Sequence, residues 1–286
     1  IVGNAAMNHP QAAQILAVAN RIAQSCGAVV SVAVDGANTV GAYAVGAVAQ
    51  NGSLTAQQML AQPRAVYVTL NVEPANDTAN PAQAVAALQS AFVIALNSYF
   101  SAVADTADVI LPTVPFTETG GTFVNAEGRV QTFNPVVKPL GEARPAWKVL
   151  RVLGERLGIQ SPAFSANDVN DIRAAVAPVL AELPARLSNG SNAVAQATEV
   201  ANGWVRSTRV NPYAVDAVVR RAGSLQKTKW AQEGLVVSLA ENVYQALGLA
   251  VDLAGDPEWV SVRQGENSVK AQAVLNPKLA DNVVDI

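Results

Sequence analysis

Short runs of β-branched and aromatic residues alternate with alanine-rich stretches through the first 160 positions, and that alternation leaves few folds open. The runs lie at 29–34, 65–70, 92–96 and 109–111, the last just before Pro112. Each is short and unbroken, the pattern of a strand buried on both faces. The stretches 10–25, 55–61 and 81–89 have helical texture. Asn80-Pro81 places an N-cap before a proline at the first helical position, and Asn8-His9-Pro10 offers a similar entry. Strands alternating with helices predict an α/β fold with a mostly parallel sheet and helices on both faces. Double burial also accounts for the scarcity of charge. Arg21 and Arg64 are the only Lys or Arg before Arg129, and 14% of the whole chain is charged, against about 25% in a typical soluble domain.

The texture changes after Pro112. Thr119-Gly120-Gly121 and Asn125-Ala126-Glu127-Gly128 are turn-forming clusters around Thr122-Phe123-Val124, and 129–133 alternates polar with apolar residues. A hairpin or irregular loop on the edge of the sheet is expected there. Trp147, Leu150, Val152, Leu153 and Leu157 then recur at helical spacing, with Gly158 in place to cap the C-terminus. Residues 161–209 are polar and alanine-rich, broken by Pro162, Pro178, Pro184 and Ser188-Asn189-Gly190-Ser191, which predicts a helical connector with one flexible stretch. Apolar runs at 235–239, 259–263 and 269–274, with a short helix near 242–248 and a strand-like end at 285–286, predict a small, truncated β-barrel-like domain. The expected domains are therefore an α/β domain over 1–160, the connector over 161–233 and the β domain over 234–286.

Composition removes several functions. A net charge of −3 and a pI near 5.3 argue against a nucleic-acid partner. With Cys26 and His9 the sole residues of their kinds, an internal disulfide framework, a Cys/His zinc site and an all-cysteine iron–sulfur cluster are excluded. No charge falls between Asp77 and Asp105, yet Pro81, Gln83, Gln89, Ser90, Asn97 and Ser98 interrupt that interval. It reads as a helix and a buried strand rather than a membrane span. The chain opens at Ile1 without a secretory pattern and is expected to be a fragment.

Candidate side chains carry little chemistry of their own. Gly36, Gly41 and Gly46 follow a strand-like run, but their spacing is neither the dinucleotide fingerprint nor a phosphate loop, so tight turns and packing explain them better. Glu73 and Asp77 lie beyond the run 65–70, at the strand end where parallel sheets bind ligands; turn and capping roles are the competing account. Asp105 and Asp108 are two carboxylates three apart, too few for a metal. Cys26, at a helix C-terminus, is read as a packing residue, and His9 has no acid–base partner nearby. Arg206, Arg209, Arg220, Arg221, Lys227 and Lys229 form the densest cationic stretch, fit for phosphate or a partner's carboxylates, or for a solvated face and helix caps. No catalytic, cofactor-binding or metal-binding residue is assigned. The low charge instead predicts an apolar patch on the α/β domain or beside Trp204.

As a string, residues 105–158 are more informative. Ala107-Asp108-Val109-Ile110-Leu111-Pro112, followed by Phe116-Thr117-Glu118-Thr119-Gly120-Gly121-Thr122-Phe123-Val124-Asn125-Ala126-Glu127-Gly128-Arg129-Val130-Gln131, resembles the molybdopterin oxidoreductase superfamily. Lys138-Pro139-Leu140-Gly141-Glu142-Ala143-Arg144-Pro145-Ala146-Trp147-Lys148-Val149-Leu150-Arg151-Val152-Leu153-Gly154 is similar to one branch of it. That branch is the large peripheral-arm subunit of bacterial NADH:quinone oxidoreductase, respiratory complex I. Asn211-Pro212-Tyr213, Asp216, Val218-Val219-Arg220-Arg221-Ala222 and Leu225-Gln226 extend the likeness. The resemblance implies a C-terminal part of that subunit, with iron–sulfur clusters in an N-terminal region outside this sequence and no cofactor in this segment. It implies as partners that N-terminal part and other subunits of the complex, and a peripheral place on the cytoplasmic side of the inner membrane without membrane insertion. Two alternatives remain: a fragment of a molybdopterin enzyme such as a formate dehydrogenase, and a nucleotide-binding module.

Overall fold

The computed structural model describes residues 1–7, 9, 11–186, 211–231, 236–249 and 258–286. They fall into two units, Ile1–Arg209 and Val210–Ile286.

The first unit opens with a single turn, α1 (Asn4–Met7), and the helix α2 (Ala12–Cys26), closed by Gly27 in the left-handed region at φ 67°. Asn8 and Pro10, expected to start α2, lie outside the described residues; the Gln11 N–H donates to His9 Nδ1 at 3.0 Å instead. The strand expected over 29–34 does not form. One parallel bridge joins Val32 to Val2, with Val2 N–H donating to Ser31 O at 2.7 Å and Ala33 N–H to Val2 O at 2.8 Å. A strand exists only through its neighbour, and these few residues are the pairing this run has found. Then come α3 (Thr39–Ala44) and α4 (Ala56–Ala61), the latter begun by a capping box between Thr55 and Gln58.

The sheet consists of β1 (Val66–Leu70), β2 (Phe92–Asn97) and β3 (Val109–Pro112), all parallel, in the order β1-β2-β3. Between β1 and β2 run α5 (Pro74–Asp77) and α6 (Pro81–Gln89); Asn80 caps α6 as its sequence predicts, accepting from Gln83 N–H at 3.2 Å. Register pairs Val66 with Phe92 and Ile94 with Val109. One face buries Tyr67 and Val93 against Leu88 of α6 and Met59 and Leu60 of α4. On the other, Val66, Val68, Leu70, Phe92 and Val109 are 38–53% exposed. Helices flank the sheet, but among the described residues the expected second layer leaves this face open at those five positions, while Leu96 on the same face is fully buried. The strand order accounts for the open part: both connections step the same way across the sheet, and right-handed crossovers then fall on the opposite face.

The hairpin β4 (Gly121–Val124) and β5 (Val130–Phe133) is an antiparallel two-stranded sheet of its own. Asn125 Oδ1 shapes its turn by accepting from Glu127 N–H at 3.1 Å and Arg129 N–H at 2.9 Å. The hairpin is not paired with the parallel sheet; of the stretch expected on its edge, the part that lies there is the loop end at Arg144. Val124 packs with Ala44 of α3 and Leu183, and its N–H donates to Asn38 Oδ1 at 2.8 Å; beside Thr113, just past β3, runs Arg144, through one parallel bridge. Next are α7 (Ala146–Arg156), followed by Gly158 at φ 71°, α8 (Val169–Ala181), capped by Asp168, and α9 (Leu183–Arg186). Arg173 of α8 holds the hairpin, donating to Phe133 O at 2.6 Å and Asn134 Oδ1 at 3.1 Å. The expected flexible stretch 188–191 lies outside the described residues.

The second unit begins with α10 (Pro212–Val215) and two 3₁₀ turns, Val219–Arg221 and Leu225–Lys227. Beyond it are β6 (Val236–Leu239), α11 (Glu241–Ala246), β7 (Glu258–Gln264), β8 (Asn267–Leu275) and β9 (Val284–Asp285). The strands form one mixed sheet in the order β7-β8-β6-β9 around a core of Val237, Leu239, Tyr244, Ala271 and Ala273. β7 and β9 are its open borders, so barrel closure does not occur among the described residues. No described helix is long and apolar enough to cross a membrane.

Asp216 provides an acid-sensitive joint in this unit. Its Oδ1 accepts from Val219 N–H at 2.8 Å and Val218 N–H at 2.9 Å. Those bonds, with the Arg220 guanidinium nearby, hold its carboxyl below the ordinary value of 3.8. A folded value below the unfolded one means the support is complete above the usual carboxylate range and is lost as pH falls through the lowered value. In an acid titration, the Val218 and Val219 amide resonances should move with this group, and Asp216→Asn should remove that movement. Amides that titrate identically in the variant would contradict the assignment.

Candidate functional site

Parallel sheets offer ligands the carboxyl ends of their strands, and here those ends gather a polar cluster. Asn71 follows β1 at φ 50°, and its N–H donates to Leu96 O at 2.8 Å. Asn97 ends β2 and Thr113 follows β3; both are buried, as is Glu73. Thr113 Oγ1 donates to Asn71 Oδ1 at 3.2 Å, tying the exits of the two outer strands across the middle one. Asn97 Nδ2 donates to Val72 O at 3.3 Å, while Asn97 Oδ1 accepts from Tyr99 N–H at 2.9 Å. Asp77 Oδ2 accepts from the Glu73 N–H at 2.7 Å, and Glu73 Oε2 accepts from Asn76 Nδ2 at 3.4 Å. The cluster is a clasp among three loops, in which these polar groups serve one another.

Of the residues singled out from sequence, Glu73 and Asp77 meet at this edge. Asn71, Asn97 and Thr113 were not singled out there. Each is a hydrogen-bonding residue set directly after an apolar run or its closing proline, and that position was the available signal. Asp108 lies at the opposite end of the sheet, where its Oδ2 accepts from Val93 N–H at 2.7 Å. Asp105 uses its backbone carbonyl, which accepts from Gln89 Nε2 at 3.5 Å. Among the described residues no three His, Cys, Asp or Glu are grouped to hold a metal. Cys26 is exposed, with Sγ donating to Ile22 O at 3.1 Å.

The glycines separate into turns and close contacts. Gly36 N–H donates to Thr39 Oγ1 at 3.0 Å, Gly46 takes φ 74°, and a Cβ at Gly41 would strike the Asn38 amide. Gly41, Gly120 and Gly121 also line a cavity of about 250 Å³ with Val124, Trp147 and Arg173. Its walls are mostly aliphatic, and the Arg173 guanidinium there is engaged with the hairpin. Of the cationic stretch, Arg206 and Arg209 lie outside the described residues. Arg220 and Arg221 cap turns, donating to Val215 O at 3.0 Å and Ala217 O at 2.9 Å. The expected apolar surface on the α/β unit is the open face of the sheet.

The molybdopterin oxidoreductase family matches residues 1–156, more than half of the chain. A putative formate dehydrogenase of Staphylococcus aureus is 31% identical over 103 residues, 36% of this chain and 10% of that relative. The mitochondrial 78 kDa subunit of NADH-ubiquinone oxidoreductase from Neurospora crassa is 30% identical over 144 residues, 50% of this chain and 18% of the relative. A putative formate dehydrogenase of Staphylococcus haemolyticus is 31% identical over 87 residues, covering 30% of this chain and 9% of its own length. The matched parts are thus between about a tenth and a fifth of these relatives.

A molybdopterin carries phosphate, which calls for cations or free N–H donors. At the carboxyl edge the side chains are two carboxylates and a set of amide and hydroxyl groups already hydrogen-bonded to one another or to the backbone, and buried Glu73 would oppose an anion. These side chains do not fit that group. The three-stranded parallel sheet, the hairpin and α7 all fall within the matched residues, and the chain belongs to the molybdopterin oxidoreductase family.

Proposed function

We propose that this chain is a C-terminal structural part of the large peripheral-arm subunit of a bacterial proton-translocating NADH:quinone oxidoreductase. In this reading it carries no redox centre. It packs against the iron–sulfur region of its own subunit and against neighbouring subunits, on the cytoplasmic side of the inner membrane and without entering it. The observation that carries the reading is the open apolar face of the sheet. Parallel sheets are stable when both faces are covered, and five exposed apolar side chains on one face call for a protein layer. The self-paired carboxyl edge supports a role in packing rather than catalysis. The match to the 78 kDa subunit supports the choice of complex, since it extends over 50% of the chain against 36% for the first formate dehydrogenase.

The test puts Val68→Asp and Phe92→Asp into the full-length subunit in its host and into the 286-residue chain. Both sites are about half exposed, so urea unfolding of the chain should shift by no more than about 1 kcal/mol. Recovery of assembled, NADH-oxidising complex should fall by about tenfold or more. Recovery at the wild-type level would end the proposal.

The formate dehydrogenase reading is favoured by two of the three relatives described above. It predicts molybdenum or tungsten in the purified full-length protein, and a fluorescent oxidised pterin on acid release. Elemental analysis without either metal would reject it.

A further inference from the structure

We propose that residues 211–231 form a basic, tryptophan-bearing docking element that seats on an acidic surface of a partner protein. Naming that partner as a neighbouring subunit of the respiratory complex rests on the function proposed above; the acidic character of its surface does not.

Three observations carry the inference. First, the segment is ordered without a core of its own: α10 and the two 3₁₀ turns contain no buried residue, and Val218 and Trp230 are more than half exposed. Its order comes from polar bonds. Gln226 Nε2 donates to Tyr213 O at 2.9 Å and to Val219 O at 3.0 Å, which lays the second 3₁₀ turn against the first and against α10. Polar bonds in water contribute little net stability, so a cluster of this kind gains from a surface that covers its apolar side chains.

Second, the charge is one-sided. The segment holds Arg220, Arg221, Lys227 and Lys229 against Asp216 alone, a surplus of three in a chain whose net charge is −3. The rest of the chain therefore carries −6. Asp216 is spent on the Val218 and Val219 N–H groups, and Arg221, Lys227 and Lys229 are exposed. Third, Lys229 Nζ stands 4.7 Å from the centre of the exposed Trp230 ring. A cation over an exposed aromatic ring, in a segment that also exposes Val215, Val218 and Leu225, matches the anchors that dominate protein interfaces. The complementary surface is acidic with an apolar centre.

The experiment compares wild-type full-length subunit with Lys227→Glu/Lys229→Glu and Lys227→Arg/Lys229→Arg in the host, measuring the complex recovered at about 0.15 M salt, where exposed charges still interact over about 8 Å. Charge reversal should lower recovery about tenfold, and the arginine pair should restore it. The Gln226 amide signals of the 286-residue chain should be alike in all three, which separates lost docking from lost folding. A photoreactive benzoylphenylalanine in place of Trp230 should cross-link to an acid-rich peptide of another protein. If that protein belongs to a formate dehydrogenase instead of an NADH-oxidising complex, the functional reading falls and the docking element stands. Unchanged recovery with charge reversal overturns the proposal. So does a binding loss confined to duplex DNA or to phosphatidylglycerol vesicles.

Discussion

Replacing Leu96 by alanine should destabilise the α/β unit by about 2–5 kcal/mol, the range seen when a fully buried leucine is truncated. Leu96 is completely buried in β2, the middle strand, with Leu70 and Leu111 as its register partners on either side. Removing its branched end leaves a cavity that neighbouring strands, fixed by ladder hydrogen bonds, are poorly able to fill. Against a typical total stability of about 5–15 kcal/mol, the loss should be plain as a lowered midpoint in urea, followed by far-ultraviolet circular dichroism. Val68→Ala is the control. It lies on the same face but is about half exposed, and should cost less than about 1 kcal/mol. Equal losses at the two positions would mean that the face is covered along its whole length.

Asn97→Leu should have the next largest effect, although it exchanges one buried side chain for another of similar size. The amide serves two backbone groups, the Val72 carbonyl and the Tyr99 N–H. Leucine leaves both without this partner in a buried place, at about 1–3 kcal/mol for each. Two readouts separate this from simple loss of packing. The Tyr99 amide should exchange with solvent faster in the variant, and Asn97→Asp, which keeps the acceptor for Tyr99 but loses the donor to Val72, should protect that amide better than leucine does. A leucine variant as stable as the wild type would remove the clasp from the account of this edge.

Much of the sheet could be read from sequence because its signals are local. Asn80-Pro81 marked the start of α6, Gly158 the end of α7, and the runs at 65–70, 92–96 and 109–111 became β1, β2 and β3. The run 29–34 carries the same local signal but forms no strand, because pairing is decided by what lies alongside and not by the run itself. Which face would be covered was also hidden. Apolar residues alternate onto both faces of β1, so their pattern predicts a demand for burial and leaves unsaid whether this stretch of chain supplies it. The hairpin 121–133 was legible through its glycines and Asn125, while its position was not, since that depends on Asn38, 86 residues before Val124. At the carboxyl edge, Glu73 and Asp77 were visible as acids in the right place. The hydroxyl and amides that complete the clasp looked like ordinary strand ends until the register set them side by side.

β1 has a further consequence for how such a polypeptide is made. Among the described residues no strand pairs with its outer side, and its sequence Val-Tyr-Val-Thr-Leu contains neither charge nor proline. Unpaired backbone beside an uncharged, β-branched sequence is a template for fibrous self-association between copies. A chain produced alone would therefore be prone to self-association along this margin. Thr69→Lys, which puts a charge into this strand, should raise the yield of dispersed material when the chain is produced alone.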